Sequence, residues 1–369
     1  MKTNTKRPMY GYTGSSLYLD LPLLGMLCLL ILIGLIILYS ASNQNIDMIL
    51  RQALRLVFAL MILVACACIP PHQYKLFTPW IFFSGLFLLL AVMVMGKIGK
   101  GAQRWLDLGF FRFQPSEMMK LAVPMMTAWY LDRRPPPISL RSFAMASLLI
   151  LIPAALIAKQ PDLGTAIMVL FAGFCVIFLA GIPQKVIVIL LASIGIAAPF
   201  LWQMMHNYQK QRIFTLLDPE RDPLGTGYHI IQSKIAIGSG GAFGKGWLVG
   251  SQSHLNFLPE HATDFIFAVG SEEFGFIGSC LLIVLILCIA WRGLQIAQAA
   301  QTSFTRLLAA SLSMTFFLSA FVNMSMVMGI LPVVGIPLPL VSYGGSAMMT
   351  FLASFGILMS IQSHRILLR

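Results

Sequence analysis

Asp264, Glu272 and Glu273, three of only thirteen acidic residues, fall where the stretch LPEHATDFIFAVGSEEFGF (258–276) turns into a long apolar run. A carboxylate there can take a proton from an attacking hydroxyl, answer a buried cation, carry ions across a bilayer, or cap a helix. The spacing narrows the choice. At about 100° per residue, Glu272 lies about 80° from Asp264 around a helix and Glu273 lies nearly opposite, so the three acids form no stripe. A shared metal or a carboxylate dyad is therefore not expected from these residues alone. On one unbroken helix the glutamates would lie roughly 12–14 Å deeper than Asp264. An unpaired charge is costly there, so both are expected to face the bundle interior as partners for Lys or Arg. Thr263 or Asp264, following Pro259, can cap that helix and would place Asp264 at its outer mouth.

Two other polar stretches invite chemistry. In GKGAQRWLDLGFFRFQPSEMMKLAVP (99–124), Lys100, Arg104 and Arg112 precede Pro115 and Ser116, a good helix start with Glu117 in its first turn. Glu117 and Lys120 are three apart and can pair on that helix. In KQPDLGTA (159–166), Asp162 is placed to cap the next helix. Further on, DPERDPLGTGYHIIQSKIAIGSGGAFGKGW contains Ile230, Ile231, Ile235 and Ile237 against Gln232, Ser233 and Lys234, which suggests a short helix on the membrane surface. The glycines that follow do not make a nucleotide loop: Ser239 stands where a Walker loop needs Gly, and Gly246 where it needs Ser or Thr. A tight turn that brings backbone close to some other group is the favoured reading, with a backbone nest for phosphate as the alternative.

The elements that must position these residues lie in the membrane. The 369-residue chain is 58% hydrophobic and 10% charged, with mean hydropathy +0.84, more apolar side chain than one water-soluble core can bury. Apolar runs of spanning length recur about ten times. Approximate spans are 21–41, 53–70, 78–96, 116–131, 142–158, 164–181, 184–203, 264–291, 304–330 and 341–361. They lack strand alternation, so the expected fold is an all-α polytopic integral membrane protein, one membrane domain over 1–369. The first run is too long for a signal peptide and reads as an uncleaved anchor. A connection of roughly 60 residues, 204–263, joins helices 7 and 8 on the exoplasmic side, and a connection of that length implies binding or catalysis.

Ten spans put both termini on one side. Lys2, Lys6, Arg7, Arg133, Arg134, Arg141, Arg292, Arg306, Arg365 and Arg369 mark that side as cytoplasmic. The net charge of +12 is scattered through loops without a basic tract, which points to anionic lipid headgroups and not to nucleic acid. All six cysteines fall in apolar runs and read as small hydrophobes; Cys66 and Cys68 lack a second ligand pair for a metal. No metal-ligand set is expected.

With these residues in view, the chain resembles the SEDS family of RodA, FtsW and SpoVE, closest to its cell-elongation (RodA) branch. The resemblance rests on GKGAQRWLDLG, FQPSE, QPDLGTA, DPLGTGYHIIQSKIAIGSGG, FLPEHATDFIFAV and GILPVVGIPLPLVSYGGS, in the family's order and spacing over nearly the whole chain. It implies a peptidoglycan glycosyltransferase of the bacterial inner membrane that polymerises lipid II at the outer (periplasmic) face, with the Asp matching Asp264 as essential residue. The family usually reads His-Thr-Asp where this chain has Ala262-Thr263-Asp264, with His261 one place earlier.

Such chemistry needs one base for the acceptor 4-hydroxyl and positive charge for the departing diphosphate, with inversion to a β1,4 bond. Lys100, Arg104, Arg212, Lys234 and Lys245 are assigned to the substrate, together with Glu117, Lys120 and Asp162, whose local alternatives are an ion pair and a helix cap. A divalent cation, Mg or Mn, is an optional aid to diphosphate departure. The implied partners are lipid II, a class B penicillin-binding protein and other elongation-complex proteins. Two competing classes stay open at this point: a lipid II flippase or ion-coupled transporter using Glu272 and Glu273, and a scaffold for the penicillin-binding protein.

Overall fold

The computed structural model describes residues 11–12, 19–99, 102–107, 112–134, 136–182, 186, 188, 199, 203, 207–219, 226–250 and 260–367. In chain order these form β1 (Gly11–Tyr12), α1 (Leu21–Ala41), α2 (Ile46–Cys68), α3 (Pro71–Met95), β2 (Lys97–Gly99), β3 (Ala102–Asp107), β4 (Arg112–Phe113), α4 (Pro115–Leu131), α5 (Leu140–Lys159) and α6 (Leu163–Leu179). Then follow α7 (Asn207–Leu217), α8 (Thr226–Ser239), α9 (Ile266–Gln298), α10 (Ser303–Val327), α11 (Gly345–Ser363) and β5 (Ile366–Leu367). Seven of the described helices, α1, α2, α3, α5, α9, α10 and α11, are long and apolar enough to cross a bilayer. The expected span 184–203 lies almost wholly outside the described residues.

Local chemistry starts most of these helices where the sequence suggests. Asp20, Asn45, Ser139 and Asp162 each accept a backbone N–H as N-caps of α1, α2, α5 and α6, and Thr302 and Thr305 form a reciprocal capping box on α10. Pro71 and Pro115 sit in the first turns of α3 and α4, where the missing N–H costs nothing. The outer faces of α2 and α3 present Val57, Phe58, Trp80, Phe83 and Phe87 to lipid, while α4 is buried among α3, α5, α6 and α10.

On the face that carries the chain ends, β1 pairs antiparallel with β5, so both described ends meet there. Two ion pairs pin helices at the same face: Arg292 to Asp20 at 2.6 Å, and Lys75 to Asp132, which also accepts the Phe304 N–H at 2.7 Å. On the opposite face β2, β3 and β4 form a small antiparallel sheet between α3 and α4.

The expectation of one straight helix running inward from Asp264 is overturned. Gly275 adopts φ 66°, ψ −163°, and the chain reverses there. Ser279 Oγ lies 2.9 Å from Ser271 Oγ, whereas eight residues of straight helix would separate them by about 12 Å. Before the break the helix runs alongside the end of α1, Gly270 against Ile37 and Glu273 bonded to Ser40; after it, the helix returns antiparallel to α1 until Arg292 meets Asp20.

A reversal breaks the i to i−4 ladder, and backbone groups exposed to lipid would be costly. The glycine turn after α8 answers them. Phe276 and Ile277 donate to the Gly241 and Ala242 carbonyls at 2.9 and 3.1 Å, while Lys245 and Gly246 donate to the Glu272 and Glu273 carbonyls at 3.0 and 3.1 Å. This docking requires glycine: a Cβ on Gly244 would lie 2.0 Å from the Glu273 carbonyl oxygen. The close-backbone reading of these glycines therefore holds. α8 is helical as expected but does not lie alone on the surface; it packs along α9 and α10, with Ser233 donating to the Val327 carbonyl at 2.8 Å.

Candidate active site

The ends of the helices are staggered on the face opposite the termini, and the stagger makes a recess. α4 and α6 have 17 residues and α11 has 19, whereas α1, α2 and α3 have 21, 23 and 25. The short helices start low. Gly164 in the first turn of α6 packs on Val334 and Ile336, and Gln160, just before α6, reaches the Leu89 carbonyl, six residues before α3 ends. Gly345, the first residue of α11, meets Arg55, nine residues or roughly 13 Å along α2. The non-helical segment 331–344 forms the floor; Leu340 and Val341 pack on Gly34, about 10 Å before the end of α1.

Asp264 is held at this floor, not at an outer helix mouth. The N-cap of α9 is Phe265 and uses no side chain, so neither Thr263 nor Asp264 caps α9 as expected. Backbone bonds fix the turn instead: Tyr343 N–H donates to the Ala262 carbonyl at 2.9 Å, and the Ser342 hydroxyl to the Thr263 carbonyl at 2.5 Å. Asn323 Nδ2 donates to both the Asp264 and the Ile336 carbonyls. The Asp264 side chain is half-buried, and its Oδ2 faces Gly335: a Cβ there would approach it to 3.5 Å. Gly335 also has φ 79°, which favours glycine.

Beside it lies a second polar cluster. Asp162 caps α6 through Oδ1 to the Thr165 N–H at 3.3 Å, accepts from Gln114 Nε2 at 2.8 Å, and stands 3.9 Å from Arg104. Arg104, on β3, donates to the Gln160 and Pro161 carbonyls, so its guanidinium clamps the turn between α5 and α6. Glu117 and Lys120 form the expected pair at 2.7 Å, both buried, with the ammonium 5.5 Å from the Phe351 ring centroid.

The remaining assigned residues scatter. Lys245 Nζ bonds Glu272 Oε1 at 2.7 Å, so the interior-partner expectation holds for Glu272, which is 0% exposed. Glu273 is buried as expected and accepts from the Ser40 hydroxyl across the bundle. Lys234 is exposed and lies against Gly329, Arg212 is on α7, and Lys100 lies outside the described residues. Thus Arg104, Lys120 and Lys245, all assigned to substrate, have their charges engaged by protein groups.

Sequence reasoning passed over Asn323, Ser342, Gly335 and Arg55. The available signal is the same for Asn323 and Arg55: an amide or guanidinium well inside a spanning helix, which membrane energetics does not tolerate without a role.

Among the described residues no group of three or more His, Cys, Asp or Glu side chains is placed to hold a metal ion. An apolar cavity of about 200 Å³ lies between α1 and α9, lined by Ile33, Ile37, Phe267, Phe274 and Leu281 among others, with none of the charged residues above. It suits hydrocarbon and not charge.

The sequence matches the cell cycle protein family of FtsW, RodA and SpoVE over residues 20–366. It is 51% identical over 349 residues to the peptidoglycan glycosyltransferase MrdB of Escherichia coli K12, covering 94% of each chain. Its fold superposes with TM-score 0.82 on a chain from a structure described as a peptidoglycan synthase complex coordinating polymerization and crosslinking, at 31% identity, covering 93% of this chain and 97% of that one. The rod shape determining protein RodA of Thermus thermophilus superposes with TM-score 0.71 at 26% identity, covering 93% and 96%.

Proposed function

The chain belongs to the FtsW, RodA and SpoVE family of cell cycle proteins, and from that premise we propose that it is a peptidoglycan glycosyltransferase with Asp264 as its general base. It is a multi-pass membrane protein, and the inner membrane of a bacterium is the location its relatives support; the basic residues of the short loops favour an orientation with both termini cytoplasmic and the recess open to the periplasm. The supporting observation is the placement of Asp264: half-buried at the floor of a recess below the ends of α1, α2 and α3, with a glycine opposite its carboxylate.

That placement suits proton transfer from a sugar hydroxyl. A carboxylate within hydrogen-bond reach of a bound sugar hydroxyl can take its proton as the oxygen attacks. The oxygen of the acceptor 4-hydroxyl attacks the donor anomeric carbon as Asp264 takes its proton; the bond to the diphosphate breaks and the electron pair leaves with it. Attack opposite the leaving group inverts an α-linked donor to a β1,4 bond. A single carboxylate is enough because the diphosphate needs no proton to depart, unlike the alkoxide leaving group of a glycoside hydrolase.

Lipid II is the substrate this reading implies, and its hydrocarbon tail has apolar room at the side of the bundle. A class B penicillin-binding protein is the partner that the related synthase complex supports. The transport alternative loses one of its motivating groups, since Glu272 is paired with Lys245 beside the glycine turn.

The test is polymerisation of labelled lipid II by the purified protein with its penicillin-binding partner, products resolved on a gel. Wild type should give glycan ladders and Asp264→Asn none. Equal ladders from Asp264→Asn would remove the base assignment.

A further inference from the structure

Arg55 projects from α2 about nine residues, or roughly 13 Å, inside the helix start. At that depth a guanidinium is expensive unless its charge and five N–H donors are answered. Five other partly or fully buried cations among the described residues have such answers: Lys120 has Glu117, Lys245 has Glu272, Arg292 has Asp20, Lys75 has Asp132 and Arg104 has carbonyls. Arg55 makes no ion pair or hydrogen bond among the described residues. Its contacts are the face of the Tyr343 ring, 4.8 Å from the centroid, and the backbone at Gly345. An aromatic face stabilises a guanidinium held over it but leaves its in-plane donors available.

The ring that holds Arg55 belongs to the segment that holds Asp264. Tyr343 N–H is bonded to the Ala262 carbonyl and Ser342 to that of Thr263. Gln52, one turn earlier on α2, is buried beside Ser342 and Met348 and keeps α2 in register with this segment. The open donors of Arg55 therefore lie at the recess floor. The start of α11 at Gly345, after a cap residue, Gly344, that has no side chain, adds a helix's positive end to the same corner.

We propose that Arg55 is an anion-binding residue of the recess, receiving the phosphate or diphosphate ester of a lipid. A planar fork of donors held by a ring matches phosphate oxygens in a way a flexible ammonium does not. The ligand has two sources with the same chemistry: the diphosphate of a polyprenyl-linked sugar donor, which rests on the glycosyl-transfer reading above, or the phosphate of an anionic bilayer lipid, which does not.

The experiment uses full-length protein in nanodiscs. Equilibrium binding of a short-chain polyprenyl diphosphate is compared in wild type, Arg55→Gln and Arg55→Lys, and retention of phosphatidylglycerol is followed by native mass spectrometry. Arg55→Gln is expected to weaken diphosphate binding by about tenfold or more, with Arg55→Lys recovering only part. Loss of phosphatidylglycerol retention in Arg55→Gln, with diphosphate binding unchanged, would support the anion site and assign it to the bilayer lipid. Unchanged binding of both ligands overturns the proposal. Should Arg55→Gln not fold, Tyr343→Leu keeps the charge but removes its support, and is expected to weaken binding of the same ligand by severalfold; unchanged binding there overturns the proposal equally. Asp264→Asn separates the two readings: it should bind the diphosphate like wild type while making no glycan. Polymerisation by Asp264→Asn would remove the base assignment and leave the Arg55 site standing.

Discussion

Asn323 donates from its Nδ2 to the backbone carbonyl of Asp264 at 2.9 Å, and from the same nitrogen to the carbonyl of Ile336 at 2.7 Å. One fully buried amide on α10 thus ties the Asp264 turn to the floor segment that carries Gly335. The pairing fixes the backbone of Asp264, the proposed base, and of the segment facing it relative to a rigid helix.

Replacing Asn323 with Ala removes the amide donor shared by the Asp264 and Ile336 carbonyls, and a buried carbonyl that loses its donor costs about 1–3 kcal/mol. The expected result is a fall in kcat of about tenfold or more with a small change in KM, because the base is displaced while substrate contacts persist. Ser319→Ala is the control, since Ser319 is as deeply buried one turn away but its hydroxyl reaches the Thr315 carbonyl and Met168 Sδ of α6, not the Asp264 turn or the floor segment. Steady-state kinetics of both variants decide it: equal losses would reduce Asn323 to general packing.

Gly335→Ala tests the space before the carboxylate. The new methyl group would meet Asp264 Oδ2 at 3.5 Å, ordinary contact distance, but φ 79° is a conformation alanine resists by about 1–2 kcal/mol. Activity should fall more than thermal stability does, the signature of an occupied approach to the base. A fall in melting temperature with full specific activity would place the constraint on folding alone.

Gly275 and Gly244 carry the reversal in α9. A Cβ on Gly275 would lie 2.2 Å from the Gly244 nitrogen, and one on Gly244 would lie 2.0 Å from the Glu273 carbonyl, so neither can be accommodated without separating the turn from the helix. Separation strands the four backbone bonds that bridge the break. Either alanine variant should lower stability by several kcal/mol, read as a large drop in the detergent unfolding temperature and in yield. Gly238→Ala, in the preceding helix with open space around its Cβ, should be near neutral.

Much of this architecture is legible in the chain, for physical reasons that differ by residue. Asp162 and the Glu117–Lys120 pair could be placed because capping and i,i+3 pairing depend on a few consecutive residues. Spans follow from hydrocarbon thickness. The reversal at Gly275 is not legible, because Gly270, Gly275 and Gly278 are each compatible with an unbroken helix; what breaks it is the glycine turn some thirty residues earlier in the chain, supplying replacement hydrogen bonds. For the same reason Asp264 was expected at an outer mouth and lies instead at the floor of a recess, a depth set by the relative starts of α4, α6 and α11 and not by its own neighbours in sequence. Sign and side of membrane point Arg104 and Lys245 toward phosphate, but a charge's partner is a matter of tertiary distance, and both meet protein groups.

Lys245 and Glu272 allow the strength of one such distance to be measured. Glu272 is fully buried and its ion-pair partner is the partly exposed ammonium of Lys245, so Lys245→Met leaves a carboxylate desolvated without that cation. The cost for removing one partner of a buried pair is about 3–5 kcal/mol, and the exposure of Lys245 puts the expected value toward or below the lower end. Glu272→Gln should be milder, since the ammonium it leaves can reach water. The double variant should be more stable than the sum of the two single losses, because the second substitution removes the charge that the first left unanswered. Unfolding temperatures of the four proteins form the cycle; strict additivity would mean that the backbone bonds from Lys245 and Gly246, and not the ion pair, hold the glycine turn against α9.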